Sequence, residues 1–379
     1  MLRVWEQLQD AARDAKQAQI EKGTTVTPPR PQRVERSPGR GNVSKKQIQV
    51  ANSLTIPTRP NGGLDLRHAN KREPNGAQFL FITRAILDNW VRWPNQWSLN
   101  LATIYVALTH FVNDEGEPLV TAIPHWLFIG EHGSGKTHTM KVMRALVRDP
   151  TGIAISYTMP GVRDALHNHM VPFLDELHRT FTSGRANEPV QRIVAGSYSA
   201  ESSTLDGIGG GPNDREAFGP MILGAQPKIL KFTSDLLDDL WERSIVVEWE
   251  KSYDDVPPLD ENFRAMAETF RNVLSIWGQS QAPRPTKQNK NPKLWAIHSM
   301  PDELAARPAE IANPLLAVAD RAQDPMLADN DPSGYDYRWA LIARESVVQA
   351  LKGHGNDPST VADEVKAQLE AMGLKIGDE

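Results

Sequence analysis

The sequence predicts an α/β fold in which a parallel sheet is layered between helices, and three observations carry that prediction. First, the apolar run Trp126-Leu127-Phe128-Ile129 leads into the glycine-rich stretch Gly130-Glu131-His132-Gly133-Ser134-Gly135-Lys136-Thr137. Second, residues 137–147 follow with Met140, Val142, Met143 and Leu146 on one helical stripe, which completes a strand, loop and helix in that order. Third, four more short apolar runs, at 153–158, 171–174, 220–224 and 244–248, alternate with helical patterns, as strands of a sheet covered by helices do. At 379 residues the chain has length for two or three domains, each with its own core.

The N-terminal part reads as a short helix over residues 1–22, followed by a flexible basic linker over 23–77 rich in Pro, Arg, Gly, Asn and Ser. Residues 1–80 hold fourteen Lys and Arg against seven Asp and Glu, whereas residues 301–379 hold seven against fifteen. The net charge of −5 therefore hides two ends of opposite sign. The basic segment suits either contact with nucleic-acid phosphates or a neighbouring subunit, or a solvated tether. Cysteine is absent, so disulfides, thiol catalysis and cysteine-rich zinc sites are excluded, and the ten histidines show no metal-binding spacing. The lack of a signal-like or bilayer-length apolar segment leads to the expectation of a cytoplasmic protein with no membrane association.

The core is expected over 78–260. It begins with the helical pattern FLFITRAILDNWVRW and a second helix over 99–111. Trp90, Trp93 and Trp97 fit core packing, with a stacking platform for bases as the alternative. The stretch 130–137 fits the G-x-x-x-x-G-K-T phosphate cradle. Its glycines turn backbone N–H groups onto phosphates, Lys136 supplies positive charge, the Thr137 hydroxyl suits Mg²⁺, and His138 lies one position on. Thirty-nine residues after Lys136, the run Met170-Val171-Pro172-Phe173-Leu174 ends in Asp175 and Glu176. In a phosphate-loop hydrolase, Asp175 holds Mg²⁺ and Glu176 polarises the attacking water. Pro172 cannot donate to a ladder, so the strand either starts after it or leaves one bond unmade. Gln226 stands at the exit of the 220–224 strand, as a sensor of the terminal phosphate or as a turn cap. Arg243 precedes the 244–248 strand, either reaching a neighbouring subunit's phosphates or pairing with Asp239 or Glu242.

This order of motifs resembles the AAA+ branch of P-loop ATPases. More narrowly, residues 78–325 look like a phage- and mobile-element-borne ATPase domain often fused to primase or helicase modules. The likeness rests on ILDNWVRW, ATIYVALTHF, GEHGSGKT, LDE, VQRIVAGSY, FGPMILGAQPKI, LLDDLWERSIVV and RPAEIANPLLAVAD. It implies a three-layer αβα core with a C-terminal helical lid, taken over 261–330; beyond the likeness, the residue pattern adds a helical extension over 331–379. It further implies ATP and Mg²⁺ as cofactors, a homo-oligomeric ring such as a hexamer, and work on DNA in replication. The alternative is a nucleotide-dependent loader for a replication or packaging partner. Departures from the family pattern are Gln226 in place of a small Asn or Thr at the first sensor position, and a second sensor arginine that the sequence does not single out, Arg307 being one candidate. Residues 199–217 read as a glycine-rich excursion suited to a pore or substrate loop, and 280–294 as a linker. The segment 334–373 reads as two helices, the second with an apolar stripe at Val361, Val365, Leu369 and Met372.

Overall fold

Short β-rich apolar runs that are hydrophobic on both faces need cover on both sides, and the five strands among the described residues receive it. The computed structural model describes residues 76–113, 115–182, 188–200, 217–231, 235–250, 256–283, 293–294, 300–322 and 339–352. The expected N-terminal helix and basic linker up to residue 75, nearly all of the 199–217 excursion, most of 280–294 and the 359–372 stripe lie outside these residues.

Two helices come first, α1 (Gly76–Trp90) and α2 (Gln96–Leu108). The second begins earlier than its apolar pattern predicts because the Asn95 side chain caps it, accepting from Ser98 N–H at 2.9 Å. Then follow β1 (His125–Gly130), α3 (Lys136–Leu146), β2 (Pro150–Ala154), α4 (Met159–His167) and β3 (Val171–Leu174). The short α5 (His178–Thr182), α6 (Glu188–Gly196) and β4 (Ile222–Ala225) come next, then a 3-10 turn over Pro227–Lys231. The described elements end with α7 (Asp235–Glu242), β5 (Ser244–Trp249), α8 (Glu261–Ser280), α9 (Ala306–Ala322) and α10 (Trp339–Leu351).

Among the described residues, the four strand pairings of the sheet are parallel, in the order β2-β3-β4-β1-β5. The second strand starts and ends earlier than expected. Thr158 is withdrawn from it to cap α4, and Ile155, just past its end, is 62 % exposed. Pro172 is accommodated inside β3, because the register with β4 starts only at Phe173 opposite Ile222.

Alternation along the strands divides the core in two. Trp126, Phe128, Ile245, Val247 and Trp249 face one cluster with α1, α2, α3, α8, α9 and α10, whereas Leu127, Ile129, Leu223 and Val246 face a second with α4, α6 and α7. The result is a parallel α/β sheet with helices on both faces. Aromatic rings fill much of the first cluster. Trp90 meets Phe263 at 5.1 Å, and Trp93 meets Trp249 edge-on at 5.2 Å, so these tryptophans pack the core as one of the two readings held. Trp97 packs against the same cluster. Between α9 and α10, the buried Asp320 receives Arg344 through two bonds of 2.8 and 3.2 Å.

Candidate functional site

The site forms where parallel strands release the chain at their C-terminal ends, the usual edge for ligands in such sheets. The 130–137 loop leaves β1, an interior strand between β4 and β5, through backbone only glycine adopts readily, with Gly133 at φ 78° and Gly135 at φ 98°. Gly130 is needed for a different reason. A Cβ there would stand 2.4 Å from Trp249 O and 2.8 Å from Ser134 Oγ. Gly135 opens α3 without any side-chain cap, so the first N–H groups of this eleven-residue helix face the loop. Lys136 is folded back over the loop. Its Nζ donates to Gly130 O at 2.5 Å, Glu131 O at 2.8 Å and Ser134 Oγ at 3.3 Å. Burial lowers its pKa from 10.5, opposed by the charges of Asp175, Glu176 and Glu131.

The exit of β3 reaches the same place across the intervening β4. Thr137 Oγ1 donates to Asp175 Oδ2 at 2.7 Å, and Asp175 Oδ1 accepts the Glu176 N–H at 2.8 Å. This crossing depends on Gly224 of β4, where a Cβ would come within 2.6 Å of Asp175 Oδ1. Glu176 itself takes left-handed backbone, φ 58°, which for a residue with a Cβ costs on the order of 1–2 kcal/mol and turns the side chain out of the strand line. Its carboxylate lies 3.2 Å from Arg179 Nε and 3.3 Å from His178 Nε2, and Gln226 Nε2 stands 3.4 Å from each of its oxygens.

Lys136, Thr137, Asp175, Glu176 and Gln226 are thus brought together. Glu131, His132, Gly133 and Gly135 are exposed on the loop, and Ser134 is buried beneath it. His138 turns away, its Nε2 within 2.9 Å of Trp90 O, so its contact is with α1. Arg243 and Arg307 are elsewhere. Arg243 precedes β5 beside His125, at the far end of β1 from the loop, a separation of roughly 16 Å at about 3.3 Å per residue. There it binds Ala195 O at 2.8 Å and pairs with Asp239 at 3.1 Å. It also stacks on Tyr198, its Cζ 4.7 Å from the ring centroid. Arg307 lies 5.0 Å from the same ring, donates to the Tyr198 hydroxyl and pairs with Glu310. α9 thus carries Arg307 to Tyr198, and the structure does not bring it together with the loop residues of its own chain.

Sequence reasoning missed His178, Arg179 and Trp249. The first two follow Glu176 after one residue, Leu177, and a polar pair close to a carboxylate was the available signal. Trp249 is far away in sequence and meets the loop only through the β1–β5 register.

Chemically, the arrangement suits a bound polyphosphate with a hard divalent cation. Two adjoining oxygens, Thr137 Oγ1 and Asp175 Oδ2, match the sparse protein ligation of Mg²⁺, which keeps several waters and draws further ligands from phosphates. Among the described residues, no group of three or more His, Asp and Glu side chains is placed to hold a metal by itself. No protein-family model matches the sequence, and no curated protein matches it. No helix among the described residues is long and apolar enough to cross a membrane.

Proposed function

We propose that the protein is an ATPase of AAA+-like, P-loop type that works as a homo-oligomer on DNA in phage or mobile-element replication. The observation that carries hydrolysis is the Thr137–Asp175 contact. It joins a glycine-rich loop at an uncapped helix N-terminus to a strand exit bearing the Glu176 carboxylate. DNA as the partner is supported by the order of motifs and the basic N-terminal segment.

In this reading the loop N–H groups and Lys136 bind the phosphates, with Lys136 exchanging its loop acceptors for phosphate oxygens. Bound Mg²⁺, held by Thr137 and Asp175, supplies charge neutralisation at the outer phosphates. Glu176 accepts a hydrogen bond from the attacking water. As the water oxygen bonds the γ-phosphorus, the bond to the β–γ bridging oxygen breaks, ADP leaves, and the water's proton passes to the carboxylate. Gln226 stands close enough to hold that carboxylate or the water.

The test is ATP turnover with and without single- and double-stranded DNA. Wild-type protein hydrolyses ATP and is stimulated by DNA. Lys136→Ala loses nucleotide affinity, while Glu176→Gln keeps it and turns over at least about 100-fold more slowly. Equal turnover by Glu176→Gln and wild type removes the catalytic role, and absence of both DNA binding and stimulation removes the DNA reading.

A further inference from the structure

His178 opens α5 with its side chain 1 % exposed, and its ring links two strand exits. Leu177 N–H donates to Gly224 O at 2.8 Å, which ties the end of β3 to β4 through the backbone. One step later the backbone has diverged, and the imidazole takes over: Nδ1 accepts the N–H of Gln226 at 3.3 Å. A ring nitrogen that accepts carries no hydrogen, so the neutral ring bears its proton on Nε2. Burial, together with Lys228, Arg179 and Lys136, lowers the pKa of this histidine below 6.5 against the opposing pull of Glu176, and the ring is neutral at pH 7. The Nε2–H is buried, is 3.3 Å from Glu176 Oε2, and is too poorly aligned there to form a hydrogen bond. A buried donor with one carboxylate oxygen in reach gains by any small turn of Glu176 that aligns the pair.

We propose that His178 is a positioning residue for Glu176: Nδ1, anchored on the Gln226 N–H, fixes the ring, and Nε2–H sets the carboxylate relative to the exit of β4 during turnover. The inference rests on the reading of Glu176 as the water-polarising group. It makes Gln226 and Glu176 neighbours through one rigid ring as well as through their weak direct contact. A displacement of Gln226 by bound phosphate is then passed to the carboxylate.

Two substitutions separate this role from mere support of the turn. Asparagine keeps an acceptor where the Nδ1 stands and lacks the reach of Nε2, whereas glutamine keeps a donor near Nε2 and loses the Nδ1 acceptor. For His178→Asn the expected result is a wild-type thermal midpoint, wild-type affinity for a fluorescent ATP analogue, and a kcat lowered about 10- to 100-fold with KM little changed. His178→Gln recovers part of that loss. In single-turnover measurements, adding His178→Asn to Glu176→Gln brings no further decrease, since both changes act on one carboxylate.

Wild-type turnover by His178→Asn overturns the proposal, as does an equal fold-loss in the Glu176→Gln background. Should the asparagine variant not fold, His178→Gln decides. Retained turnover supports the positioning role, and a rate as low as that of Glu176→Gln overturns it. These outcomes leave the ATPase reading standing, whereas wild-type protein that hydrolyses no ATP removes that reading and the inference together.

Discussion

At residue scale, Glu248 is the least comfortable charge near the site. It sits beside Ile129 in the β1–β5 register, one Glu248 carboxylate oxygen is buried without a partner, and burial, then the charge of Glu250, pushes its pKa from 4.5 to about 7. The folded form therefore binds a proton across the window from 4.5 to about 7 that the unfolded chain has released, and stability falls as pH rises through that window. Glu248→Gln is expected to stabilise the protein at pH 8 by about 1–2 kcal/mol, after discounting the shift for partial solvent screening, and to lose this advantage below pH 4.5. Urea midpoints of both proteins across the range check this, and equal midpoints at pH 8 count against it. Sequence alone showed Lys136, Thr137, Asp175 and Glu176 because their chemistry lies in contiguous motifs. His178 stayed hidden because its role depends on where β3 and β4 diverge, and Glu248 because nothing in SIVVEWE tells which strand margin lacks water.

At the scale of elements, His110 locks three helices together. From the turn after α2, its Nδ1 lies 2.8 Å from Ser275 Oγ of α8 and its Nε2 lies 2.9 Å from Leu146 O at the end of α3. The packing is close enough that a Cβ on Gly278 would stand 2.1 Å from His110 O. Burial brings the pKa of His110 down to about 3, and that of His125 likewise. Here the folded form has released a proton that the unfolded chain binds below 6.5. Their contribution is complete above pH 6.5 and declines steadily as pH falls toward 3. His110→Gln is expected to destabilise by about 1–3 kcal/mol at pH 7 through imperfect hydrogen bonds, and to flatten the acid loss between pH 6.5 and 4, leaving the His125 share. Denaturant melts at pH 7, 5.5 and 4 measure both effects, and an unchanged acid slope would assign the titration to other groups. The helix and strand order was legible because apolar periodicity survives in the sequence. Boundaries moved where a cap competed, as at Asn95 and Thr158, since a single side-chain hydrogen bond decides which residue starts a helix.

At the scale of the whole molecule, the length of β1 separates Arg243 from the loop of its own chain, so any contact it makes with a nucleotide has to be with another copy's. Its pairing with Asp239 and its stacking on Tyr198 give it a local role as well. Mixing Arg243→Ala with Lys136→Ala protein tests the first role. Each variant alone is expected to lose on the order of 10³-fold in turnover, and mixed oligomers recover activity at interfaces that unite an intact loop with an intact arginine. Mixed oligomers that form without recovery confine Arg243 to the local pairing, the alternative that the sequence left open because it cannot display a partner surface. The sheet itself sets a further condition on the proposed oligomer. Its two margins are β2 and β5, and α10 packs against β5. The β2 margin carries Pro150, which has no N–H, then Gly152, with a register irregularity between Pro150 and Ile153. A strand that cannot present a regular row of donors is a poor template for another chain's backbone. Endless edge-to-edge growth along this margin is thereby disfavoured, and the proposed oligomer would have to rest on contacts made through side chains, the kind that can close on themselves and come apart again.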